Sequence, residues 1–219
     1  MTLRLAIFDC DGTLVDSQHA IVAAMTAAFT ATDMPPPSRS EILSIVGLSL
    51  EGAMACLAPD VAHERIAELC LHYRAFNTRL RESGGAFDPL YDGIADLVSA
   101  LSAEGWLLGV ATGKALRGLR HVLHVHGLTN QFVTLQTADH HPSKPHPSMI
   151  ETALAETGVE PEQAVMIGDT SFDMMMAQAA GVRALGVGWG YHSPEELLDA
   201  GAQSVAMDTA ELARHIRLP

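Results

Sequence analysis

Two aspartates, Asp9 and Asp11, close the apolar run Leu3-Arg-Leu-Ala-Ile-Phe8, and Gly12 follows them. Later in the chain stand Thr112-Gly113, Lys144 and Gly168-Asp169, with Asp173 four residues further on. Carboxylates gathered in one place repel one another unless a cation neutralises them. Hard oxygen donors with few histidines or thiolates suit Mg2+, which keeps some of its waters and binds substrate phosphate. A carboxylate can also accept a phosphoryl group, forming an aspartyl-phosphate. Phosphoryl transfer chiefly requires positioning and neutralised oxygen charge, which Lys144, Thr112 and backbone N–H groups can supply together with the metal. The second carboxyl, Asp11, suits a group that gives a proton to a leaving oxygen and later takes one from water. Gly12 lets the backbone turn tightly beside the phosphate.

These residues act together only if the fold gathers them. After Pro89 the pattern alternates: helix over 92–103, strand over 106–111, helix over 114–125, strand over 132–135, helix over 147–157, strand over 164–167, helix over 172–180, strand over 183–187, helix over 194–200, then a last strand and helix. With a first strand over 3–8, this is an α/β chain whose parallel sheet is covered on both faces. Open α/β sheets carry their sites at the carboxyl ends of the strands. The first strand ends at Asp9 and the second at Thr112-Gly113. Lys144 lies in the loop after the third, and the fourth ends in Gly168-Asp169. Each strand therefore delivers one polar cluster to the same edge.

Between about Ser17 and Arg81 the texture is helical instead, and Pro35-Pro36-Pro37 breaks it once. Ser38 or Ser40 caps the next helix, Ser49 with Glu51 nearby opens another, and Asp60 to Leu80 forms a longer one. Ser83-Gly84-Gly85 marks the return to the alternating part. The expected architecture is a Rossmann-like parallel-sheet core (1–15 and 84–219) with an inserted α-helical cap (16–83). The segment after Asp16 and Gly84-Gly85 are the expected hinges.

Phe8-Asp-Cys-Asp-Gly-Thr-Leu-Val-Asp-Ser17 strongly resembles the first motif of the haloacid dehalogenase-like hydrolases, D-x-D-G-T. Thr112 resembles their second motif, Lys144 the third, and Gly168-Asp-Thr-Ser-Phe-Asp173 the fourth, in family order over nearly the whole chain. The resemblance implies Asp9 as nucleophile and metal ligand. It implies Asp11 as acid/base, with its backbone carbonyl also on the metal. Asp169 would be a further ligand, with Asp173 direct or behind it. Thr112, Gly113 through its backbone, and Lys144 would bind the phosphate, and the cofactor would be Mg2+. Asp at position 11 resembles phosphatases and phosphomutases. Leu14-Val-Asp-Ser17 and Val46-Gly-Leu-Ser-Leu50 are similar to phosphoglycolate phosphatases. Many relatives carry Asn where Gly113 stands. The sugar phosphomutases carry a histidine where Ile21 stands, which counts against a mutase. A sugar phosphomutase and a non-catalytic phosphate-binding module are the alternative readings.

Plainer readings apply elsewhere. His121, His124 and His126 are read as partly exposed helix residues, not a zinc site, and His140 and His141 as plain loop residues. Met174-Met-Met176 is read as core packing. Arg65, Arg74, Arg79 and Arg81 are read as a solvated face, although one of them can reach a substrate carboxylate. The chain has 219 residues, enough for one core plus a small insertion, and a formal charge of −13 from 26 acidic and 13 basic residues. That charge gives no general attraction to nucleic acid or anionic membrane. The expected partner is a small phosphorylated metabolite, bound by a locally built site. Three unpaired cysteines and no apolar run of membrane-spanning length point to a reducing, cytoplasmic setting.

Overall fold

Strand β1 (Leu5–Phe8) is buried along its whole length, as a strand covered on both faces must be. The computed structural model describes residues 3–85 and 88–218. Parts of the expected core range that fall on residues 1, 2, 86, 87 and 219 lie outside the described residues. β1 pairs in parallel with β2 (Leu107–Thr112) on one side and β4 (Ala164–Gly168) on the other. β3 (Thr134–Thr137), β5 (Arg183–Val187) and β6 (Ser204–Ala206) complete a six-stranded parallel sheet in the order β3-β2-β1-β4-β5-β6. The order reverses between β1 and β4, which opens a crevice at their carboxyl ends.

Alternation along the strands divides the core into two layers. Ala6 and Phe8 pack with Val165 and Ile167 beneath α5 (Ile94–Ala103), α6 (Leu116–Val125) and α10 (Thr209–Arg217). Leu5 and Ile7 face the opposite way, against α7 (Ser148–Thr157), α8 (Ser171–Ala179) and α9 (Pro194–Asp199). Met174 and Met176 are fully buried in this second layer, as packing requires, but Met175 between them is exposed, because it falls on the outer face of α8.

The third apolar cluster belongs to the chain between β1 and α5. It unites α1 (Gln18–Ala31), α2 (Arg39–Leu43), α3 (Leu50–Leu57) and α4 (His63–Glu82) around Met25, Phe29, Ile42, Met54 and Leu69. Ser38 starts α2 with a capping box closed by Glu41, and Ser49 caps α3 by accepting from Gly52 N–H. The segment leaving β1 and the segment returning to α5 run side by side. Asp16 N–H donates to Pro89 O at 2.9 Å and Tyr91 N–H to Leu14 O at 3.1 Å. Two adjacent backbone segments thus join the helical cluster to the sheet. None of the described helices is long and apolar enough to cross a membrane.

Two expectations need local correction. The strand expected over 132–135 is β3 at 134–137. Phe132 is buried in the first layer ahead of the strand, while the strand carries polar Thr134, Gln136 and Thr137, which apolar patterning passes over. The helix expected from Lys114 begins at Leu116. Lys114 lies in the turn before it, and that frees its side chain for another use.

Candidate active site

Each strand end contributes as its position requires. Asp9 follows β1 and is tied to the neighbouring strand by its N–H, which donates to Ile167 O at 2.8 Å. Asp169 follows β4 across the crevice. Gly12 has φ +90°, and a Cβ there would lie 2.1 Å from Asp169 Oδ2, so only glycine lets the β1 loop lie against that carboxylate. Asp9, Asp169 and Asp173 place carboxylate oxygens within 4.8 Å of one another, all buried. Lys144 Nζ enters the same space, 2.6 Å from Asp173 Oδ1 and 2.9 Å from Asp9 Oδ1.

The partners of the three carboxylates differ. Asp173 Oδ1 accepts from Lys144, and its Oδ2 accepts from Thr170 N–H and Oγ1 in a capping box that opens α8. Asp169 Oδ1 accepts from Thr13 Oγ1 at 2.7 Å and Oδ2 from Tyr191 N–H at 3.0 Å. Asp9 has less support: its Oδ1 faces the Lys144 ammonium at 2.9 Å, and its Oδ2 is buried with no donor among the described residues. Buried acceptors left this way are rare and expensive.

Electrostatics repeat the pattern. Burial, opposed by Lys144 and reinforced by Asp173, pushes the Asp9 carboxyl up to about 6. Burial and then the Asp9 charge push Asp169 well above the usual carboxylate range. Burial alone would lower the Lys144 ammonium, but Asp173 and Asp9 overcome it and hold it high. Three carboxylates against one ammonium leave two negative charges without a counterion. With oxygen-only donors and Asp9 Oδ2 without a donor, this set fits a divalent cation.

Asp11 takes a separate position. Its side chain lies outside the three-acid cluster, and Lys114 Nζ donates to Asp11 Oδ1 at 2.7 Å and to Oδ2 at 2.9 Å. Thr112 is buried at the end of β2 and its Oγ1 accepts from Lys114 N–H. Asp9, Asp11, Thr112 and Gly113 line one cavity of about 570 Å³, whose other wall is built by α1, α3 and α4. Lys144 and Asp169 lie behind that surface, deep in the cluster. All seven residues expected at the site therefore converge on one edge of the sheet.

Sequence reasoning missed Lys114, Thr13 and Tyr191. Lys114 follows Thr112 by two residues, close enough for its turn to reach Asp11. Thr13 belongs to the first motif itself. Tyr191 comes from the loop after β5, and its hydroxyl also lies 3.1 Å from Ser17 Oγ. Nothing local in the sequence marks that loop. Of the arginines placed on a solvated face, Arg74 is exposed as expected and reaches the cavity only at its rim, whereas Arg81 is half-buried and lines it with His121 and His126. Arg81 does so because the inner face of α4 closes over the strand ends. His141 is a loop residue that bridges Gln136 and Ser148.

Residues 6–187 match the haloacid dehalogenase-like hydrolase family. The chain belongs to that family. It is 32% identical over 197 residues to pyrophosphatase PpaX of Bacillus pumilus, covering 90% of this chain and 88% of that protein. It is 28% identical over 203 residues to N-acetylmuramic acid 6-phosphate phosphatase of Pseudomonas aeruginosa, with 90% and 86% covered. A haloacid dehalogenase-like family hydrolase from Streptococcus pneumoniae superposes with a TM-score of 0.84 at 28% identity, covering 98% of this chain and 99% of that one.

Proposed function

We propose that this hydrolase is a magnesium-dependent phosphatase that cleaves a small phosphate monoester through an aspartyl-phosphate on Asp9. The buried Asp9 carboxylate at the cavity, with Oδ1 against Lys144 and Oδ2 without a donor, carries this reading. An ionised oxygen with no hydrogen-bond donor is free to attack phosphorus, while Lys144 draws negative charge from its neighbour. Asp9 Oδ forms a bond to phosphorus as the ester oxygen leaves with a proton from Asp11. Water then attacks the phosphorus and loses a proton to Asp11. Phosphate departs and the Asp9 carboxylate returns. Lys114 holds both oxygens of the Asp11 carboxylate, so Lys114 must release Asp11 and Asp11 must take up a proton from water before it can protonate the leaving oxygen.

Asp9, Asp169 and the Asp11 backbone carbonyl would hold Mg2+, with Asp173 fixing Lys144 behind them. The ion supplies charge neutralisation for the phosphate oxygens. Thr112, the Gly113 backbone and Lys144 would hold the phosphate. Helices α1 to α4 would act as a cap that closes over the strand ends, excludes water and reads the leaving group. The two backbone segments at 14–16 and 89–91 would flex as its hinge. The substrate is a small phosphorylated metabolite. Phosphoglycolate is one member of that class, and the relatives' names extend the class to pyrophosphate and a sugar phosphate.

The deciding experiment is phosphate release from a panel of phosphorylated metabolites with Mg2+, beside an Asp9→Asn control. Release with the wild-type protein and none with the variant is expected. No release from any compound would overturn the phosphatase reading. Conversion of a sugar phosphate to its isomer with little free phosphate would favour a mutase.

A further inference from the structure

The cavity over Asp9 has cations on its helical walls as well as at its floor. Arg81 of α4 and Arg117 of α6 both line it. Other cations on this wall have acidic partners, Lys114 with Asp11 and Arg74 with Glu51 at 3.7 Å. Arg81 and Arg117 form no salt bridge among the described residues. Arg81 makes one hydrogen bond, from Nη2 to Thr78 Oγ1 at 3.2 Å, and its Nε is buried without a partner. Burial and then the charge of Arg117 push the Arg81 guanidinium below its usual range, against the opposing pull of Glu82. The two guanidiniums, Arg81 half-buried and Arg117 exposed, therefore repel each other on the lining of one cavity in a chain that is strongly acidic elsewhere. An anion seated between them relieves the repulsion and satisfies the bare donor. The planar fork of arginine matches carboxylate and phosphate alike.

The placement also sets a length. Tyr73, Asn77 and Arg81 line the cavity at four-residue intervals along α4. Tyr73 lines the cavity near enough to Lys114 and Asp11 for both charges to act on its buried hydroxyl, with burial the larger influence. Arg81 comes eight residues later, about 12 Å along the helix. A two-carbon phospho-acid held at Asp9 occupies little of the roughly 570 Å³ available, a volume typical of much larger ligands.

We propose that the substrate carries a second anionic group at the far end of its leaving group, and that Arg81 from α4 and Arg117 from α6 grip that group. This rests on the phosphatase reading of Asp9 and narrows its substrate class from any small phosphate ester to an extended, doubly anionic one.

The test uses monophosphate esters of ω-hydroxy acids with two to about eight carbons, spanning the distance to Arg81. Each is paired with the diol monophosphate of equal length, which has a neutral end, and with the corresponding bisphosphate. The preference for an anionic over a neutral end, read as a ratio of kcat/KM, should be small for phosphoglycolate and rise with length. In the Arg81→Gln/Arg117→Gln double variant this ratio should fall roughly 10- to 100-fold, the loss expected for hydrogen bonds to charged groups. Arg81→Lys should keep part of it. The carboxylate and bisphosphate arms show which anion the pair takes. Calorimetric binding of the same compounds to the Asp9→Asn protein reads the anion site without turnover. Binding preference without phosphate release would sink the phosphatase reading and leave the anion site standing. Phosphate release with no preference at any length, or an equal loss for all ends in the double variant, would overturn the anion site alone.

Discussion

Lys144 Nζ lies 2.6 Å from Asp173 Oδ1, and neither side chain is exposed to solvent. Asp173 spends its other oxygen on Thr170, at the start of α8. Its carboxylate is thus committed on both sides, and in the proposed site its task would be to hold Lys144 toward Asp9. Replacing Asp173 with Asn keeps an acceptor for Thr170 but turns the charge that anchors Lys144 into a neutral amide. Turnover or metal affinity should fall by about 10- to 100-fold, the usual consequence of losing a support behind a metal ligand. Steady-state kinetics across a Mg2+ titration would show it. An unchanged Mg2+ dependence with normal turnover would contradict this role.

Stability of the metal-free protein should depend on pH with a sign opposite to that of ordinary salt-bridged acids. The Asp9 carboxyl rises from 3.8 to about 6 on folding because of burial. Between these values the folded protein binds more protons than the unfolded chain, so stability falls as pH rises through that window. Below it the penalty is absent, and above it the penalty is complete. A shift of this size corresponds to something on the order of 3 kcal/mol. Urea unfolding in EDTA from pH 4 to 8 should show Asp9→Asn becoming more stable than wild type as pH rises. Adding Mg2+ should raise the wild-type midpoint and narrow that gap. Parallel wild-type and variant curves would reject the argument.

Breaking the Lys114–Asp11 pair tests the second carboxyl. Both side chains are largely shielded, at 19% and 11% exposure, so removing one partner strands the other. Lys114→Met should destabilise the fold by about 3–5 kcal/mol. Lys114→Met/Asp11→Asn should recover much of that loss, because no unpaired charge remains. A double-mutant cycle from denaturant unfolding measures the coupling. Simple additivity would mean that the pair contributes nothing.

The sheet and the reacting edge were legible because both depend on local patterns. Apolar runs ended in Asp9, Thr112 and Gly168-Asp169, and each run formed a strand with its polar residue at the carboxyl end. Lys144 was legible only through motif order, since its loop has no periodicity. Three contacts were not legible because they join segments far apart in sequence. Thr13 meets Asp169 across 156 residues and Tyr191 reaches back 22 residues to the same carboxylate. Lys114 crosses 103 residues to Asp11. The arginines of α4 show a further limit. A helix of mean polar character has two faces open to charge, and only the tertiary position of α1 and α3 decides which face is shielded.

Gly113 allows the helical cluster to seat on the sheet. A Cβ at this position would fall 2.3 Å from Leu48 O and 2.6 Å from Gly47 O, both backbone atoms of the loop before α3. That loop is fastened at either side. Ser49 N–H donates to Ser143 Oγ at 2.8 Å, and His192 Nε2 lies 3.2 Å from Ser44 O. His192 Nδ1 accepts from Ser171 N–H, which leaves Nε2 as the donor to Ser44. Gly113→Ala must therefore push the loop away from Thr112 or strain the end of β2, at a cost of about 1–3 kcal/mol. The loop is held by two hydrogen bonds and a few side chains, so it should yield before the buried strand does. Amide exchange at Ser49 should accelerate and KM should rise, with a smaller change in the unfolding midpoint. Slow exchange at Ser49 in the variant would mean that the strand end gives way instead, and turnover at Asp9 would then fall more than KM rises.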